Sequence, residues 1–127
     1  MEKRHFEQGR IWLKAAISVA GEGESKERHA VAIAMLVHSI IKANDALTLK
    51  YLNTTARRHE DARRLFEDLI RRNVIKSEYS SYGDIIQQAI TNKAKAEYRG
   101  GFFSKADFED MRRKTEKFLA LVEKTIG

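Results

Sequence analysis

The chain has 127 residues, a length that fits one domain with its own hydrophobic core. It contains no cysteine, which excludes disulfides, thiolate metal ligands and cysteine nucleophiles and favours a reducing, cytoplasmic setting. The formal net charge of +6 permits an acidic partner such as nucleic acid, but the positive and negative residues are interleaved rather than grouped into a basic block.

The sequence contains no proline and many Ala, Leu, Ile, Glu, Lys and Arg residues, which predicts helix along most of its length. Apolar residues at helical spacing place a first helix at about 3–19. The segment 21–25 then ends this helix with two glycines, and Ser25 is a candidate N-cap for the next. The longest apolar run, 30–37, is shorter than a membrane span, so we expect a soluble protein.

The second predicted helix, 26–52, is apolar or small at nearly every position from residue 30 onward. Such a helix must be covered on most sides, so we expect it to be central in the bundle and also to form a dimer face. His38 and Asp45 lie seven residues apart and therefore on one face. Their pairing indicates either a carboxylate that tunes an imidazole or two polar groups that only contact neighbouring helices.

The third predicted helix, 57–72, carries six arginines and four acidic residues. This pattern is typical of a solvated, ion-paired surface, and a nucleic-acid patch is the alternative. His59 is expected in the first turn, where it either reaches the same polar pocket as Asp45 or is a cap-region residue without chemistry.

The last two predicted helices each follow residues with capping-box spacing. Ser81 with Asp84 opens the fourth helix, and Ser104 with Asp107 opens the fifth, which continues to the C-terminus. The short connectors favour antiparallel neighbours. The sequence therefore predicts an all-α domain, a four- to five-helix up-and-down bundle that covers residues 1–127.

The connection between these two helices combines basic and aromatic residues. Positions 93, 95, 99 and 105 are basic, and positions 98, 102 and 103 are aromatic. This combination suits a single-stranded nucleic acid or a nucleotide phosphate. Alternatively, Phe103 packs against Phe108 as a hydrophobic staple, and the two glycines only turn the chain.

No standard enzyme motif is present, and the four histidines lack metal-ligand spacing. We therefore assign no catalytic residue, no metal site and no cofactor from the sequence.

The run from His38 to Leu47 resembles the second helix of HEPN domains, which are small prokaryotic helical bundles often encoded beside minimal nucleotidyltransferases. The run from Lys95 to Gly100, with the later helix that ends in Phe-Leu-Ala-Leu-Val-Glu at 118–123, is similar to a small branch of the same superfamily. The resemblance covers roughly residues 26–125.

The resemblance implies a homodimer, a nucleotidyltransferase-type protein partner or a role in a toxin–antitoxin pair, and either RNA cleavage or binding of nucleotide or RNA. The catalytic signature of the ribonuclease members, an arginine followed about four to six residues later by a histidine, is absent from this chain. Binding without that catalytic pair is therefore the leading interpretation.

In that interpretation Arg99, with Lys93 or Lys95, contacts phosphate, and Tyr98 stacks on a base. Asp45 with Asn44 bonds a base edge or positions the arginine, and His59 completes the predicted ligand-binding set: Asn44, Asp45, His59, Lys93, Lys95, Tyr98 and Arg99. One alternative is a metal-independent ribonuclease that uses a pair such as His59 with Arg99. A further alternative is a structural module that only presents the second helix to another protein.

Overall fold

The computed structural model describes residues 1–98 and 102–127, and this part of the chain forms an all-α bundle without strands. Each α-helix packs against the next one in the sequence, as the short connectors predicted. A single 3₁₀ turn, Ser77–Tyr79, lies between the third and fourth helices. The α-helices are α1 (Glu2–Gly21), α2 (Lys26–Leu52), α3 (Asp61–Arg71), α4 (Tyr82–Tyr98) and α5 (Lys105–Ile126).

The central element is α2, which packs against all four other α-helices. It begins after Ser25, whose hydroxyl accepts a hydrogen bond from the Arg28 N–H at 3.1 Å, as the sequence predicted. It ends at Leu52, and the left-handed conformation of the next residue, Asn53 (φ 56°), turns the chain away. Val31 is the one exposed large apolar residue of α2. The central position is thus confirmed, and the dimer face stays a prediction.

Helices α1 and α2 approach each other most closely at Gly9. The Ser39 hydroxyl donates to the Gly9 carbonyl oxygen at 2.7 Å in a fully buried contact. A Cβ atom at Gly9 would lie 3.0 Å from the Ser39 carbonyl oxygen and 3.4 Å from the Ala43 nitrogen. The absence of a side chain at this position therefore sets the spacing of the two helices.

The start of α3 corrects the sequence prediction. The chain from residue 57 to 60 forms tight turns, in which Asp61 donates to the Arg58 carbonyl oxygen and Ala62 to that of His59, each at 3.0 Å. Consequently α3 begins at Asp61, and His59 precedes the helix instead of lying in its first turn. Three of the six arginines in the predicted segment 57–72 are ion-paired: Arg63 with Glu67 and Asp84, Arg64 with Asp61, and Arg71 with Asp68.

The two predicted capping boxes have different outcomes. At α5 the box is present, because the Ser104 hydroxyl accepts from the Asp107 N–H and the Asp107 carboxylate accepts from the Ser104 N–H. At α4 the Asp84 N–H donates to the Ser81 carbonyl oxygen, and the Asp84 carboxylate bonds Arg63 at 2.7 Å. The carboxylate of Asp84 thus joins α4 to α3 instead of capping α4.

One hydrophobic core runs through the bundle. The rings of Phe66 on α3 and Phe118 on α5 lie 5.8 Å apart, and Phe103 and Phe108 are both buried in the same cluster, where the staple places them. Among the described residues, α2 is the one helix long and apolar enough to cross a membrane by length and composition. Most of its apolar stretch is buried inside the bundle, and core helices of soluble proteins pass the same test.

Candidate functional site

Side chains from α2, α4 and the turn before α3 lie within electrostatic reach of one another. His38 comes from α2, His59 from the turn, and Lys93 and Glu97 from successive turns of α4. The Lys93 ammonium lies 3.3 Å from the Glu97 carboxylate, and both imidazoles are half-buried. We call these four residues, together with Trp12, the histidine cluster.

Trp12 on α1 covers one side of the histidine cluster. Its indole ring stacks on the His38 imidazole, with the ring centroids 4.9 Å apart and the planes 26° from parallel. This stacking is possible because the close contact at Gly9 lies one helical turn before Trp12. Trp12 is the one tryptophan of the chain, so its fluorescence reports on His38.

Both histidines of the cluster favour the neutral form. Burial, followed by the positive charge of Lys93, lowers the pKa of His38 below its ordinary value of 6.5, and Glu97 opposes the shift. Burial and then Lys93 also lower the pKa of His59, with His38 as the next cause. Lys93 and Glu97 thus act on the pKa of both imidazoles.

This arrangement offers hydrogen-bond donors and a cation to an anionic ligand. Each neutral imidazole carries one donor and one acceptor nitrogen. Lys93 adds a positive charge, and its ammonium group has donors beyond the one that faces Glu97. Lys42 on α2 is a further positive charge that lowers the pKa of His38. In the described part of the chain, no three His, Asp or Glu side chains are grouped as a metal site would require.

The structure brings His59 and Lys93 together, but it places Asn44 elsewhere. Asn44 is fully buried, and its amide group donates to the Ala62 carbonyl oxygen at 3.1 Å. Asn44 thereby holds the middle of α2 against the start of α3. Its Oδ1 is buried and has no hydrogen-bond partner in the structure.

Asp45 also lies outside the histidine cluster. It is 8% exposed, its Oδ1 has no hydrogen-bond partner, and burial raises the pKa of its carboxyl. The imidazole that acts on its pKa is that of His5 on α1, whose Nδ1 is also without a partner. Asp45 and His38 therefore lie on one face of α2, as predicted, and each has a different neighbour on α1.

The basic and aromatic residues after α4 are described only in part. Lys95 is exposed, and its ammonium lies 4.6 Å from the centroid of the Phe103 ring. Lys26 similarly lies 4.2 Å from the centroid of the exposed Phe102 ring. Arg99 and the side chain of Tyr98 lie outside the described residues.

The sequence pattern indicates His38 but does not place it in the predicted ligand-binding set, and Trp12 and His5 are not among the predicted residues. A signal was available: His5 and Trp12 are seven residues apart on α1, and His38 and Asp45 are seven apart on α2. In an antiparallel pair that crosses at Gly9, these spacings bring Trp12 to His38 and His5 to Asp45.

The chain matches no protein-family model and no curated protein. The resemblance to HEPN domains therefore stays a prediction, and the histidine cluster has to be interpreted from its own chemistry.

Proposed function

We propose that the chain is a HEPN-like bundle that binds the phosphate group of a nucleotide or of RNA at the histidine cluster. The observation that supports this function best is the convergence of His38, His59 and Lys93 from three separate elements beside an aromatic ring. Packing of the hydrophobic core does not require two imidazoles and an ammonium group at one half-buried place. In this proposal Lys93 contacts the phosphate, and the imidazoles donate hydrogen bonds to its oxygens.

The chemistry of the histidine cluster links such binding to proton uptake. Both imidazoles are mostly neutral at neutral pH, because their pKa values are lowered. A bound phosphate reverses this effect, since a nearby negative charge raises the pKa of an imidazole. The affinity for phosphate ligands therefore increases as the pH falls through the pKa range of His38 and His59, below about 6.5.

The first experiment titrates the protein with AMP, adenosine and a short single-stranded RNA and follows the fluorescence of Trp12. We expect a saturable change with AMP and RNA, stronger at lower pH, and no change with adenosine, which lacks the phosphate. Protonated imidazole quenches a stacked indole, so the pH midpoint of the fluorescence should also move upward when ligand is bound.

Charge variants provide the control for the site. Lys93→Gln should weaken AMP binding by about tenfold, whereas Glu97→Gln should strengthen it, because the carboxylate that competes for Lys93 is removed. Lys14→Gln makes the same charge change on the exposed side of α1 and should leave binding unaltered. Equal effects of Lys93→Gln and Lys14→Gln, or tight binding of adenosine, would contradict the proposal.

Metal-independent RNA cleavage is the second candidate function, and the nearness of two imidazoles favours it. One imidazole would take the proton of a 2′-hydroxyl as it attacks the adjacent phosphorus, and the other would protonate the departing 5′-oxygen. The products would be a 2′,3′-cyclic phosphate and a 5′-hydroxyl. His38 is the partner of His59 in this pair, because its imidazole is among the causes that lower the pKa of His59.

Cleavage of labelled RNA in the presence of EDTA tests this candidate. Activity should be lost in both His38→Ala and His59→Ala, and it should peak below about pH 6.5, where one imidazole is protonated and the other is not. RNA that stays intact while it binds would leave phosphate binding as the function.

The proposal includes a homodimer in the cytoplasm, with a nucleotidyltransferase-type protein as a possible partner in a toxin–antitoxin pair. Sedimentation of the purified chain tests the dimer. If no phosphate ligand binds and the dimer is present, a structural interaction module becomes the better interpretation.

A further inference from the structure

A concave surface lies away from the histidine cluster, where the chain between α3 and the 3₁₀ turn passes α5. After α3, Asn73 adopts a left-handed conformation (φ 59°), and the N–H groups of Val74 and Ile75 both donate to the Leu69 carbonyl oxygen. This turn directs the next residues across the bundle, and Ile75, which is 2% exposed, anchors them in the core. The groove that remains beside them has a volume of about 340 Å³.

The floor of this groove is apolar, and its rim is cationic. Val74 and Ile75 from the connection and Leu121 from α5 form the apolar part, whereas Lys76 and Lys124 stand at the edge. No acidic residue lines the groove, and neither lysine has a carboxylate within ion-pair distance in the described residues. The groove thus pairs apolar surface with unneutralised positive charge.

Two tyrosines complete the wall. The hydroxyl of Tyr51 donates to the Thr125 carbonyl oxygen at 2.7 Å, which fixes the ring at the end of α5. The Tyr79 hydroxyl lies 3.5 Å from the Lys124 ammonium, so a polar oxygen and a cation sit side by side. Because Tyr51 is thirteen residues beyond His38 on α2, the groove lies about 20 Å from the histidine cluster along that helix.

We propose that this groove binds a small organic anion that has an apolar body and one carboxylate or phosphate group. The apolar body contacts Val74, Ile75 and Leu121, and the anionic group lies between Lys76 and Lys124. The volume is within the range of small-molecule sites. The cationic rim selects against neutral ligands of the same shape, and the apolar floor selects against small hydrated anions.

The experiment titrates the full chain with octanoate, octyl phosphate, octanamide and acetate. Two-dimensional amide NMR measures the binding of each probe. We expect saturable shifts at Lys76, Tyr79 and Lys124 with octanoate or octyl phosphate, and the stronger of the two identifies the preferred anionic group. Octanamide and acetate should bind at least about tenfold more weakly, because each lacks one half of the recognised chemistry.

Lys76→Gln and Lys124→Gln should each weaken binding of the better anion by about fivefold. Lys117→Gln is the matched control, since it removes the same charge from α5 at a residue that lies over Tyr82 and outside the groove lining. An equal loss in Lys117→Gln would show that only the net charge of the protein attracts the anion and would overturn the site. Shifts without saturation, or octanamide binding as tight as octanoate, would overturn it as well.

Discussion

The substitution Gly9→Ala tests whether the close contact of α1 and α2 sets the geometry of the histidine cluster. The added Cβ atom would lie 3.0 Å from the Ser39 carbonyl oxygen, a backbone atom that cannot rotate away, so the helices must separate by a few tenths of an ångström. Overpacking of this kind costs about 1–3 kcal/mol, and the higher helix propensity of alanine offsets about 1 kcal/mol. We therefore expect a net loss of about 1 kcal/mol, or about 4 °C in Tm for a domain of this size.

Gly83→Ala is the matched control for this prediction. The nearest atoms to a Cβ at Gly83 belong to the Arg63 side chain at 3.5 Å, an ordinary contact, so this variant should be stabilised by about 0.5–1 kcal/mol. Urea unfolding followed by circular dichroism measures both free energies. The Trp12 fluorescence should change only in Gly9→Ala, because the stacking on His38 at 4.9 Å depends on the helix spacing. Equal stabilisation of the two variants would refute the close contact.

Three further predictions concern titratable and capping residues. Because the pKa values of His38 and His59 are lowered in the native state, the unfolded chain binds more protons, and stability should fall as the pH drops through about 6.5. Urea unfolding at several pH values should show a smaller fall in the double variant His38→Gln/His59→Gln. Asp45→Asn should raise the neutral-pH free energy of unfolding by about 1–3 kcal/mol, with the gain lost in acid, where Asp45 is protonated. Ser104→Ala removes the capping box of α5 and should lower Tm through a loss of about 1 kcal/mol.

The sequence predicts the elements well where local chemistry determines them. The bounds of α2 and the start of α5 agree with the structure, because Ser25 and Ser104 are side-chain caps whose effect is local. The start of α3 differs by about four residues, since the turns at 57–60 use only backbone hydrogen bonds, which any residue can form. The predicted capping role of Asp84 is wrong for a different reason. Its carboxylate pairs with Arg63 on another helix, and no local sequence pattern indicates that partner.

The candidate site is less predictable, because its residues meet only through tertiary packing. Local charge and helix position indicate Lys93 and His59, but the link of both residues to His38 follows only once α2 and α4 are packed together. The burial of Asn44 likewise depends on tertiary packing, since this polar residue is fully enclosed in the fold. The groove beside Leu121 has no local signal at all, since its wall depends on the turn at Asn73.

The contact between α1 and α2 places two titratable groups under opposite pH dependence. Protonation of His38 opposes folding, because its lowered pKa favours the neutral ring in the native state. Protonation of Asp45 favours folding, because burial raises the pKa of its carboxyl and makes the charged form costly. Between pH values of about 4 and 6.5 the two effects have opposite signs, so Asp45 reduces the loss of stability that protonation of the histidines causes as the pH falls. Removal of either group alone would then show how the free energy of unfolding changes with pH when the other group remains. The acid response of the fold thus depends on the same helix pair that positions the histidine cluster.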